Sequence, residues 1–119
     1  MNIGSMVMHC DEFEKMLAFW QEALHYLPRA PAKGGWVVLR DPAGRGPNVS
    51  LEHVATRRMG RRSRWHLDLY THDQKHEVER LITRGATRDP WRSRPGDECL
   101  VLADPDDHLC CVVHVTGEV

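Results

Sequence analysis

Between Arg64 and Thr71 the side chains alternate, with Leu67 and Leu69 on one parity and His66, Asp68 and Tyr70 on the other. A period of two marks a strand with one packed face, so the segment predicts a strand whose opposite face is unusually polar. A comparable apolar run, Ile3 to Cys10, opens the chain. Helical spacing follows each run. Phe13, Met16, Leu17, Trp20 and Leu24 predict a helix over 12–25, with Asp11 and Glu14 at capping-box spacing. Val78, Leu81 and Ile82 predict a second helix over 73–84, with Thr71 and Gln74 at its start and Gly85 placed to end it in left-handed geometry. Three more strand candidates come after each helix: 27–31, 35–40 and 48–54, then 86–92, 98–103 and 108–115.

The chain repeats itself. WVVLRDP from Trp36 to Pro42 matches LVLADP from Leu100 to Pro105, pairing Leu39 with Leu102 and Asp41 with Asp104. Both Asp-Pro pairs have turn composition and are read as turns, not as paired catalytic carboxylates. Each half reads βαβββ, giving an α+β domain spanning 1–119, with modules of about 1–55 and 64–116. The segment linking them is basic, containing Arg57, Arg58, Arg61, Arg62 and Arg64. One helix covers only one face of its sheet, so pairing two modules is expected to enclose a cavity between sheets.

Composition narrows the function classes. Sixteen Lys and Arg against 17 Asp and Glu give a net charge of -1, which offers no electrostatic reason to expect nucleic acid or an anionic membrane as partner. The arginine cluster is read as a solvated loop. No basic segment leads into an apolar one at the N-terminus, and apolar runs fall far short of the ~20 residues of a membrane span. A soluble, cytoplasmic protein is expected. Cys10, Cys99, Cys110 and Cys111 lie in or beside apolar runs without metal-type CxxC spacing and read as buried thiols.

Three segments in order, MVMHCDEFEKMLAFWQEALHY from Met6, HLDLYTHDQKHEVERLITRGAT from His66 and VLADPDDHLCCVV from Val101, resemble the vicinal oxygen chelate superfamily. That group includes glyoxalase I, extradiol dioxygenases, fosfomycin-modifying enzymes and bleomycin-binding resistance proteins. The resemblance covers nearly the whole chain and implies the paired-sheet fold, a small-molecule ligand and a homodimer. It also implies up to four metal ligands, one on the first and one on the last strand of each module. These positions fall at Gly4, which the repeat offset pairs with His66, at or near Glu52, at His66, and at Cys111. Gly4 has no donor, and Cys111 stands where glyoxalase-like members carry a carboxylate. No cofactor is therefore favoured. A divalent metal is the alternative, and requires Glu52, His66 and Cys111 to converge with a water. His9 and His53 are each one residue away and are expected on the other faces of their strands.

Without a metal, His66 is the candidate base and Asp68 its orienting carboxylate; the same pair also fits a non-catalytic polar cavity wall. Glu52, Tyr70, Trp36, Trp91 and Cys111 are the candidate ligand contacts, while Trp36 and Trp91 read equally well as packing residues. Trp20 is expected in the core. Met6 and Met8 share the parity of Gly4 and are expected to form a soft cavity floor. The leading function is a glyoxalase-like small-molecule-binding protein, with proton-transfer isomerase or lyase activity at His66. Sequestration of a drug or metabolite, as in bleomycin resistance, is one alternative. A metal-dependent lyase or dioxygenase is the other.

Overall fold

The computed structural model describes residues 1–54, 66–89 and 98–117, and the chain divides into two compact units, Met1–Arg57 and Arg58–Val119. In the first unit, β1 (Met6–Cys10) leads to α1 (Phe13–Leu24), then β2 (Leu27–Pro28), β3 (Trp36–Arg40) and β4 (Val49–His53). The sheet order is β1-β4-β3-β2, with β1 parallel to β4 and the other pairs antiparallel. In-register partners share a face, so Cys10, Val37, Leu39, Val49 and Leu51 lie on one side. All five are at most 2% exposed, as the face covered by a helix must be. Met16, Phe19 and Trp20 of α1 are buried in turn, the two rings meeting edge to face at 5.1 Å. The far face carries Val7, His9, Trp36 and Glu52, exposed or half-buried, around buried Ser50 and Val38.

The second unit repeats this plan with β5 (Leu67–Thr71), α2 (Gln74–Thr83), β6 (Thr87–Arg88), β7 (Cys99–Ala103) and β8 (Leu109–His114), in sheet order β5-β8-β7-β6. Val78 and Leu81 of α2 are buried, as are Leu102, Cys110 and Val112. Ile82, expected on the apolar face, is 37% exposed. Both units are thus α+β modules of the expected βαβββ order. The tail of the predicted 86–92 strand lies partly outside the described residues.

The helix starts differ from expectation. The first helix takes Glu12, not Asp11, as its N-cap, with no side-chain cap bond from Glu12. In α2 the cap is Asp73, whose Oδ1 accepts from the His76 amide at 3.2 Å. Thr71 instead accepts from the Asp73 amide, and Gln74 Nε2 donates to the carbonyls of Glu98 and Val112. Gln74 therefore ties the helix to the sheet. The first helix closes on His25 in the left-handed region, φ 57, and the second on Arg84, with Gly85 following at φ 119.

Candidate functional site

The polar face predicted from alternation is present in the second unit. Asp68 pairs with Cys111 and Tyr70 with Val113 across β5 and β8, while Val101 pairs with Cys111 and Cys99 with Val113 across β7 and β8. His66, Asp68, Tyr70, Cys99 and Cys111 consequently share the face turned away from α2. His66 Nε2 lies 3.2 Å from Asp68 Oδ1, with both side chains about half exposed. An ionised carboxylate only accepts, so this contact favours a proton on Nε2, the tautomer that keeps its lone pair on Nδ1. Donor atoms of His66, Asp68 and Cys111 lie within 4.8 Å of one another.

Cys111 is only 8% exposed. Burial raises its thiol above the ordinary range, reinforced by a hydrogen bond with Cys99. Cys110, on the helix side, is pushed up to about 12, chiefly by burial and then by the Asp104 charge. There is no disulfide at any of the four cysteines; Cys10, Cys110 and Cys111 are buried and Cys99 is half-buried.

The strand registers correct the sequence assignment in the first unit. Leu39 pairs with Val49 as its repeat partner Leu102 pairs with Cys110, and Met6 pairs with Val49 as Leu67 pairs with Cys110. The residue equivalent to His66 is therefore Ser5, not Gly4, and the residue equivalent to Cys111 is Ser50. Ser5 Oγ and Ser50 Oγ are hydrogen-bonded at 2.5 Å. The same register puts Met6 and Met8 on the helix-side parity, which removes the proposed methionine floor. It brings His9 onto the face of Glu52, its in-register partner, with Nε2 3.6 Å from Oε1. Apolar runs without alternation carry no parity signal, which is why a one-residue slip went undetected there.

Trp36 also pairs in register with Glu52 and is 40% exposed. Trp91 and Trp65 lie outside the described residues, as does the arginine cluster. His53 falls on the opposite parity from Glu52, as expected, beside a shallow pocket of about 250 Å³ that Phe13, Lys33 and Gly35 also line. That pocket includes none of the candidate ligand contacts.

The two Asp-Pro aspartates act as turn organisers. Asp41 accepts from the amides of Ala43, Arg45 and Gly46, and those backbone bonds, Ala43 first and Gly46 next, hold its carboxyl below the usual range. Asp104 Oδ1 accepts from the amides of Asp106 and His108. Its Oδ2 lies 3.3 Å from His108 Nδ1. This side-chain bond, supported by the charges of Asp104, Asp106 and Asp107, raises the His108 pKa against the opposing effect of burial. Sequence reasoning missed His108 and Cys99. The signal for Cys99 was available, since the repeat alignment fixes the parity of β7 relative to Leu102.

The chain belongs to the glyoxalase-like domain family, whose model matches residues 5–113. No curated protein matches the sequence. Among solved structures, a mutant of the fosfomycin resistance protein FosX from Listeria monocytogenes, complexed with Mn(II) and 1S,2S-dihydroxypropylphosphonic acid, is 15% identical, with 97% of this chain and 90% of that one covered at a TM-score of 0.74. A glyoxalase/bleomycin resistance protein/dioxygenase family enzyme from Burkholderia phytofirmans PsJN is 14% identical, covering 98% and 100% at 0.75. A glyoxalase-related enzyme from Fulvimarina pelagi is 16% identical, covering 96% and 88% at 0.69. At these identities the likeness is one of fold.

The positions that the superfamily resemblance implies for metal ligands become, by register, Ser5, Ser50, His66 and Cys111. Two neutral hydroxyls, one imidazole and one thiol, with no carboxylate, do not suit a hard ion such as Mn(II), which favours charged oxygen donors. Among the described residues, no helix is long and apolar enough to cross a membrane.

Proposed function

We propose that this chain binds a small carbonyl-bearing or aromatic molecule on the far face of β5, β7 and β8, and that His66 moves a proton on it. The carrying observation is the 3.2 Å contact of His66 Nε2 with Asp68 Oδ1, which aims the Nδ1 lone pair as the acceptor. Tyr70, 55% exposed on the same face, supplies a hydroxyl and a ring for a planar ligand. Buried Cys111 supplies a soft apolar floor. Glu52, Trp36 and Trp91 are retained as candidate ligand contacts by resemblance to the superfamily. A homodimer is part of the reading, by resemblance to dimeric relatives.

The half-exposure of both His66 and Asp68 favours a second reading, binding without turnover, because water competes for both side chains and loosens the geometry that proton transfer requires. One experiment separates the two. A panel of small carbonyl and aromatic metabolites is screened by amide chemical shifts on wild type and His66→Gln, and each binder is tested for solvent deuterium incorporation. Binding to both proteins with exchange only in wild type supports proton transfer. Binding without exchange leaves sequestration, and shifts confined to other elements would overturn the site.

A further inference from the structure

The second module's far face holds more donor chemistry than a base and its orienting carboxylate require. His66, Asp68 and Cys111 bring an imidazole nitrogen, a carboxylate oxygen and a sulfur within 4.8 Å of one another. A fourth donor lies on the same face just outside this group, because Cys99, a half-buried free thiol, is diagonal to Cys111 across β7 and β8. We propose that His66, Asp68, Cys99 and Cys111 form a tetrahedral zinc site contained within one module.

The geometry supports this. Bonds of ~2.0–2.1 Å to nitrogen and oxygen place two such ligands about 3.3 Å apart on a tetrahedron, and the observed His66 to Asp68 separation is 3.2 Å. Thiolate bonds of ~2.3 Å put two sulfurs roughly 3.8 Å apart, a spacing within reach of side chains diagonal to each other on one sheet face. Cys99 would join the set on metal binding by rotating about χ1, and rotation between staggered wells is accessible to a half-buried side chain. The donor set also selects the ion. Two sulfurs, one imidazole and one carboxylate favour a borderline-soft cation over Mn(II) or Mg(II).

This site differs from the arrangement that the superfamily resemblance implies, in which ligands are divided between both modules. Asp68 and Cys99 are not among those positions, and the first-module equivalents are the hydroxyls of Ser5 and Ser50. The inference does not depend on His66 acting as a base. Where both hold, zinc and the substrate proton compete for the same imidazole, and zinc would silence the proton transfer.

The test uses the full chain, stripped with a chelator and titrated with Zn(II) and, as a spectroscopic probe, Co(II). The expected result is one zinc per chain, and Co(II) spectra with sulfur-to-metal charge transfer and tetrahedral visible bands. Cys111→Ser should cut the charge-transfer band to about half, one of two thiolates being lost, while Cys99→Ser and Asp68→Asn should each weaken zinc binding at least tenfold. Because Cys111 is buried, Asp68→Asn and His66→Gln, at exposed positions, keep the test valid if Cys111→Ser does not fold. Co(II) bound without charge transfer, or undiminished zinc affinity in both exposed variants, would overturn the site. Ligand binding by the metal-free protein remains a separate readout, so failure here and failure of the proton-transfer reading are distinguishable.

Discussion

Ser5 Oγ and Ser50 Oγ stand 2.5 Å apart in the first module, at the positions that His66 and Cys111 occupy in the second. Duplication has kept the backbone register and exchanged the chemistry, a hydroxyl pair on one sheet against an imidazole and a thiol on the other. Candidate proton or metal chemistry at these two positions therefore belongs to the second module.

Replacing His66 by Gln should leave folding stability within about 0.5 kcal/mol of wild type, as for an exposed side chain outside the core. Leu39→Ala, at a site 0% exposed, should lose about 2–5 kcal/mol. Urea unfolding of the two variants measures the contrast, and a large loss in His66→Gln would mean that the far face supports the fold.

His108 gives the second unit a pH-dependent contribution. Its folded-state pKa is raised above the ordinary 6.5, first by the bond to Asp104. The stabilisation is thus fully present below that ordinary value and is lost as pH rises through the folded one. Unfolding midpoints should fall between pH 6 and pH 8.5 in wild type, and fall less in His108→Gln. Equal slopes would exclude the pair as the source.

Thiol chemistry should follow burial. Cys110, raised to about 12, and Cys111, raised by burial and its bond with Cys99, carry little thiolate at pH 7.5 and should resist alkylation in the native, metal-free protein. Mass spectrometry after iodoacetamide should find both modified only when denaturant is present.

His25 ends α1 at φ 57 and ψ 37, a conformation that glycine adopts without steric cost. His25→Gly should raise stability by up to about 1 kcal/mol. Gly35→Ala should do the reverse, because at φ +72 the added Cβ would lie 2.8 Å from His53 Cβ. Thermal melts of the two variants should move in opposite directions.

The βαβββ order and both helices were legible because amphipathic periodicity and the repeated DP segment are local signals. So was the polar parity of His66, Asp68 and Tyr70, since Leu67 and Leu69 alternate with it. The first strand was not, because Met6, Val7 and Met8 are apolar on both parities and only pairing with β4 sets their facing. His108 escaped notice because its partner, Asp104, was read only as a turn residue, and a turn aspartate can serve backbone amides and a side chain together.

The alternation of each strand also separates two histories. Positions such as Leu51, Leu102 and Val112 answer to the requirement that the module fold, while exposed far-face positions such as His66, Asp68 and Tyr70 answer to it far less. Drift at those exposed positions can therefore proceed by single substitutions that selection on folding scarcely registers. A duplicated module of this kind can change its chemistry in one copy while the other retains a simpler surface, with no alteration of the scaffold that both inherited.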